Sequence, residues 1–191
     1  MKPLRVLFLE PFYGGSHKDF ADGLAAHSRH AVDLVTLPDR FWKWRMRGAA
    51  LYLAARIGQP DGYDGLIVSS LMSLADLKAL WQERCPPALV YFHENQLGYP
   101  LGPGESVDYQ YGFTNITTAL AAERNLFNSL THRENFLTAL PDFIRMMPDC
   151  RPNWVCSAIA QKSGVAHPGC HFPARGDLSR QDRRQPPLVV W

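Results

Sequence analysis

Short apolar runs alternate with helix-length amphipathic segments along this chain, and that alternation restricts its fold more than any other feature. "RVLFLE" (5–10), "AVDLVTL" (31–37, closed by Pro38), "DGLIVSS" (64–70), "ALVYFHEN" (88–95) and "RNLFNS" (124–129) each have the length and composition of a strand. Helical patterns separate them: residue 17 to about 29, then "RMRGAALYLAARI" (45–57), "SLADLKALWQE" (73–83) and "VDYQYGFTNITTALAAE" (107–123). "LTHRENFLTAL" (130–140) follows the last strand. In the 45–57 segment Met46, Ala50, Leu53 and Ile57 share one face, and Ser73 is suited to cap the next helix. Strands separated by helix-length crossovers cannot form hairpins. They predict an α/β fold, a doubly wound, mostly parallel sheet of the Rossmann-like kind.

Composition narrows the class. A chain of 191 residues suits one large domain, and 46% hydrophobic with 20% charged residues is ordinary for a globular protein. The formal charge of +2 gives no global field toward nucleic acid or membrane, so any such affinity must be local. No apolar run is long enough to span a bilayer, and no membrane partner is expected. "MKPLRVLFLEPF" lacks a small-residue cleavage site and reads as a first strand rather than a signal peptide. Cys85, Cys150, Cys156 and Cys170 form no C-x-x-C pair, which suits reduced thiols and a cytoplasmic location. Cys150, Cys156, His167, Cys170 and His171 crowd the C-terminal part, but their spacing fits no standard zinc template, so no metal is expected.

In a parallel sheet, ligands gather at the C-terminal ends of the strands. "EPFYGGSHK" (10–18) occupies the first such end. Gly14 and Gly15 permit close backbone approach to an anion, Ser16 can cap the following helix, and His17 and Lys18 can reach the same anion. A simple turn explains the two glycines equally well, and the full G-x-G-x-x-G fingerprint of a dinucleotide site is missing. "YFHENQLGYP" (91–100) puts His93, Glu94, Asn95 and Gln96 on the same rim, where polar groups are costly to bury without partners. "DRFWKWRMR" (39–47) interleaves Arg40, Lys43, Arg45 and Arg47 with Phe41, Trp42 and Trp44. That mixture offers phosphate contacts and stacking faces for unpaired bases, or else core aromatics beneath snorkelling cations. Asp108, Gln110, Tyr111 and Asn115 can face the cleft, although core packing explains Tyr109, Tyr111 and Phe113 just as well, and Asn128 and Ser129 form one more polar strand end.

"EPFYGGSHK", "WKWRMRGAALY", "YFHENQLGYP", "DYQYGFTN" and "FNSLTHRENFL" together resemble the N-terminal domain of the tRNA-queuosine alpha-mannosyltransferases. These are retaining glycosyltransferases of the two-Rossmann-domain (GT-B, family 4-like) kind. The resemblance implies transfer of mannose from GDP-mannose to queuosine in a tRNA anticodon, without a metal or other cofactor. It implies that Gly14 and Gly15 approach the donor diphosphate, and Ser16 and His17 beside them are candidate substrate contacts. It also implies that His93 hydrogen-bonds the transferred sugar or its developing charge and that Glu94 and Asn95 orient that site or the acceptor; His93 and Glu94 are the catalytic candidates, Asn95 and Gln96 substrate contacts. Arg40, Lys43, Trp44, Arg45 and Arg47 are the candidate tRNA contacts.

The expected organisation is a domain over residues 1–173, a linker over 174–187 and, at 188–191, the first strand of a C-terminal donor-binding domain. On that expectation the chain alone lacks most donor affinity and activity. Two other classes are open. One is a stand-alone nucleotide- or RNA-binding module, against which the strand-like "PPLVVW" speaks. The other is a hydrolase using His93 and Glu94 as an acid/base pair, for which no nucleophile elbow or metal motif appears.

Overall fold

A computed structural model describes residues 2–98 and 108–169. Six strands form one sheet: β1 (Arg5–Tyr13), β2 (Ala31–Pro38), β3 (Gly65–Ser69), β4 (Ala88–Phe92), β5 (Arg124–Phe127) and β6 (Ser163–Val165). Every pairing is parallel and the order is β2-β1-β3-β4-β5-β6. Helices α1 (Gly15–His27), α2 (Trp42–Ile57), α3 (Leu74–Trp81), α4 (Tyr109–Ala121), α5 (Leu130–Arg145) and α6 (Trp154–Ala160) make the connections. The expected Rossmann-like, doubly wound architecture is the observed one.

Strand alternation distributes the core. Leu7, Leu9, Val68, Val90 and Phe92 point to one face, where they join Leu53, Leu77, Ile116, Phe136 and Leu140 from the helices in a single buried cluster. The residues between them point the other way: Phe8 meets Phe20 of α1 edge-on, and Phe20 stacks on Tyr91 at 3.8 Å. The side-chain period of two therefore sends Glu10, Ser69 and His93, at or just past their strand ends, to the α1 face. The long strand β1 pairs regularly with β2 up to Glu10 and then shifts register before Tyr13.

Several boundaries differ from the sequence reading. β1 runs on to Tyr13, and α1 starts at Gly15 rather than His17. β4 stops at Phe92 and β5 at Phe127, so His93–Asn95 and Asn128–Ser129 belong to loops. The polar side chains there bond to neighbouring loops and helix ends instead of extending a ladder. α5 passes through Pro141 to Arg145, held down by buried Phe136, Leu140, Phe143 and Ile144 at helical spacing. Ser73 caps α3 as expected, its Oγ accepting from the Asp76 N–H at 3.1 Å. Helix α6 and the short strand β6 were not anticipated. The expected linker (174–187), the strand at 188–191, Cys170, His171 and most of the glycine- and proline-rich loop lie outside the described residues. No helix among the described residues is long and apolar enough to cross a membrane.

Candidate active site

The sheet order reverses direction at β1, whose neighbours β2 and β3 lie on opposite sides of it. Ligands of doubly wound sheets bind at the carboxyl ends of the strands beside such a reversal. At this point Glu10 stands fully buried. Its Oε1 accepts from the Phe12 N–H at 2.9 Å and from the Ser69 hydroxyl at 3.0 Å. Above it α1 lowers His17, also buried. His17 Nδ1 is 3.2 Å from Glu10 Oε1, an ion-pair approach too far off line to be a hydrogen bond, and Nε2 meets Glu94 Oε2 at 3.1 Å.

His93 completes the cluster. Its ring stacks on that of His17 with centroids 3.9 Å apart, and its Nε2 lies 3.9 Å from Glu10 Oε2. Among the described residues neither of those last two atoms has a hydrogen-bond partner. Burial opposes charge on His17, but Glu10 and Glu94 outweigh it and raise the pKa to about 9. His93 has no such compensation. Burial, reinforced by repulsion from His17 and His132, pushes its pKa down to about 3. The two rings are thus an imidazolium over a neutral imidazole.

The loop bearing Glu94 is clamped through its backbone. Ser70 Oγ donates to the Glu94 carbonyl at 2.9 Å, and Asn128 Nδ2 donates to the His93 carbonyl at 2.8 Å. Asn115, buried in α4, accepts from the Gln96 N–H at 2.8 Å and donates to the Ser70 carbonyl at 3.0 Å. Asn95 is buried, and its Oδ1 takes the N–H groups of Leu97 and Gly98, forming the turn itself. Among the described residues, two cavities flank the loop. One of about 240 Å³ is lined by Phe12, His17, Trp42, Leu71, Glu94 and Gln96. The other, about 280 Å³, includes His93, Glu94, Asn95, Asn128, Ser129 and His132. Glu94, with 29% of its side chain exposed, is a wall of both. A larger hollow of about 400 Å³ along α1, bordered by Asp19 and Leu24, holds none of the predicted site residues.

The structure sorts the predicted residues. His17, His93, Glu94, Asn95 and Gln96 converge on one rim. Gly14 lies at that rim too, but the space a Cβ would need is filled by the Asp39 carboxylate. Gly15 adopts φ +50°, a glycine conformation, and faces open space, with Ser16 exposed beside it. Lys18 pairs with Asp22 one turn along α1. The basic segment splits: Arg40, Lys43 and Trp44 face solvent, Trp44 at 78% exposure. Arg47 is exposed but donates to Thr114 Oγ1 at 3.2 Å, and Arg45 is half-buried with Nε unpartnered. Phe41, not predicted as a contact, is 68% exposed and holds φ +58° at the start of α2. Glu10, Ser69, Ser70 and His132 were also missed. A charged residue at the end of an otherwise apolar strand was the available signal for Glu10.

Comparison with known proteins supplies the remaining finding. Residues 5–170 match the family described as tRNA-queuosine alpha-mannosyltransferase N-terminal. A relative from Drosophila melanogaster, named tRNA-queuosine alpha-mannosyltransferase, is 38% identical over 164 residues, covering 85% of this chain. The matched stretch spans 44% of that relative's length. With a family match over nearly all the described residues, and a site rim that falls inside it, this chain belongs to the tRNA-queuosine alpha-mannosyltransferase N-terminal family.

Proposed function

We propose that this chain is the acceptor-side domain of a retaining glycosyltransferase that moves mannose from GDP-mannose to queuosine in a tRNA anticodon. The observation that carries this reading is the position of Glu94, a pinned carboxylate that forms a wall of two adjoining cavities at the reversal of sheet order. A transferase must hold a sugar and an acceptor hydroxyl side by side, and a carboxylate between two hollows suits that task. Glu94 orients the acceptor hydroxyl and accepts its hydrogen bond. His93, kept neutral, lines the larger cavity and suits a neutral sugar better than an anion. Gly15 and Ser16, exposed at the start of α1, remain for the donor diphosphate, which a helix N-terminus favours. Gly14 is assigned no donor contact, because Asp39 already occupies its open side.

The tRNA surface in this reading is the start of α2. Trp42 lines the 240 Å³ cavity and packs against Tyr111 at 5.2 Å, so the exposed Phe41, Lys43 and Trp44 stand at the lip of the site. The test is transfer by the full-length protein, with queuosine-containing tRNA and GDP-mannose, read as one added hexose on the nucleoside by mass spectrometry. Glu94→Gln is expected to lower the rate by about 100-fold or more. Absence of hexose transfer to tRNA, or an unimpaired Glu94→Gln enzyme, sinks the reading.

A further inference from the structure

Glu10 has no part in the transfer scheme, yet it is the most deeply placed charge beneath the site. Among the described residues, three polar atoms around it are buried without hydrogen-bond partners: its own Oε2, His17 Nδ1 and His93 Nε2. Atoms of these three residues lie within 4.8 Å of one another, which raises the question of a bound cation. Ring geometry answers it. A metal must lie near the plane of each imidazole, about 2.1 Å from the nitrogen. The His17 and His93 planes are inclined by only 25° at a centroid separation of 3.9 Å, so they meet well beyond that reach. One ion cannot serve both rings, and the group placed to balance Glu10 with a proton is His17, whose Nδ1 lies 3.2 Å from Oε1.

We infer that Glu10 is a positioning residue for Glu94: its buried carboxylate holds the His17 imidazolium, and the imidazolium fixes the Glu94 carboxylate at the wall between the two cavities. Each link has a physical reason. A buried carboxylate is costly unless its charge is paired; the Phe12 N–H, the Ser69 hydroxyl and His17 Nδ1 all gather at Oε1, while Oε2 has only His93 Nε2 at 3.9 Å. Neutral imidazole carries a single N–H, so it could serve one acid and would leave the other facing a lone pair. Imidazolium presents N–H to both sides, toward Glu10 at 3.2 Å and Glu94 at 3.1 Å. His93, stacked on the charged ring, stays neutral and fills the space beneath. The groups facing His17 are therefore Glu10 from β1 and His93 and Glu94 from the loop after β4. His132 of α5 faces Glu94 and His93 from the far side.

The inference rests on the mannosyltransferase reading only for its activity arm. In full-length protein with ring-labelled histidine, Glu10→Gln should lower the His17 proton affinity at least tenfold by NMR titration. In the same variant kcat for transfer to tRNA should fall about 10- to 100-fold, with KM for tRNA within about twofold of wild type. An unchanged His17 titration overturns the inference, as does a loss carried by a rise in KM for tRNA instead of a fall in kcat. If Glu10→Gln does not fold, Glu94→Gln decides: His17 should still titrate above its ordinary range, held by Glu10 alone. A return to the ordinary range or below overturns the inference. A full-length protein that transfers nothing to tRNA defeats the functional reading, while the titration still decides this one.

Discussion

His17 and His93 stack with ring centroids 3.9 Å apart, and the fold holds one charged and the other neutral. The asymmetry follows from their partners. His17 touches two carboxylates, whereas His93 meets the positive face of His17 and an oxygen 3.9 Å away. Two identical side chains in contact therefore titrate on opposite sides of neutrality.

This pair contributes opposite limbs to the pH dependence of stability. His17 has a folded pKa of about 9 against an ordinary 6.5, so its contribution is complete below 6.5 and is lost as pH rises through 9. His93 has a folded pKa of about 3, so its contribution is present above 6.5 and is lost as pH falls toward 3. Each pKa unit corresponds to about 1.4 kcal/mol. Urea unfolding across the pH range should give a maximum near 6.5 with losses of a few kcal/mol on either side. His93→Gln should flatten the acid limb and His17→Gln the alkaline one. Stability that stays level between 6.5 and 9 would show that His17 is not held as an imidazolium.

Asn128 is expected to act as a structural clamp for the loop after β4. It donates to the His93 carbonyl, and its Oδ1 lies 2.9 Å from His132 Nδ1. Asn128→Ala removes both interactions and leaves the His93 carbonyl short of a partner, costing about 1–3 kcal/mol. The denaturant midpoint should fall accordingly, and backbone hydrogen exchange should quicken in the loop after β4 before it does so in the core strands. Uniform exchange across the sheet would argue against a local clamp.

The two glycines at the start of α1 should respond differently to alanine. At Gly15 only the left-handed φ of +50° opposes a side chain, so Gly15→Ala should cost about 1 kcal/mol. At Gly14 the backbone is extended, and the obstacle is the Asp39 side chain occupying the Cβ position. Gly14→Ala should therefore destabilise more, and Asp39→Ala in the same chain should recover most of the loss. A double-mutant cycle measures this directly, and additivity of the two changes would contradict the steric account.

The strand–helix rhythm made the architecture legible because the buried strands are short apolar runs bounded by turn residues. It also put His93, Glu94 and Asn128 on one rim, since all follow the ends of parallel strands. Glu10 was hidden for a different reason. Its significance depends on the register that aligns β1, β3 and β4, and on α1 covering the same face as Ser69 and His93. Neither is encoded within any single stretch. Strand β6, three residues long, carries too short a pattern to read. The end of α5 was obscured by Pro141, whose local preference loses to the burial of Phe143 and Ile144 beyond it. The basic–aromatic stretch was readable as a composition, but that Arg47 is tied to Thr114 of a distant helix was not.

Phosphate binding requires cations free to reach solvent, and here Arg40 and Lys43 meet that condition more fully than Arg45 or Arg47. Trp44 and Phe41, exposed by 78% and 68%, offer stacking faces beside them. An anticodon loop presents unpaired bases and a polyanionic backbone, the combination such a surface suits. Changing Arg40 and Lys43 together to alanine should reduce the slope of log affinity against log salt by roughly 1.4, since each phosphate neutralised on a single strand accounts for about 0.7. Trp44→Ala should cost about 1–3 kcal/mol of tRNA binding while leaving the salt slope unchanged, because stacking releases no counterions. Fluorescence anisotropy with the full-length protein measures both quantities. If the double variant keeps its slope, the phosphates are held elsewhere. If Trp44→Ala changes the slope instead of the intercept, the tryptophan is supporting Lys43 rather than stacking on a base.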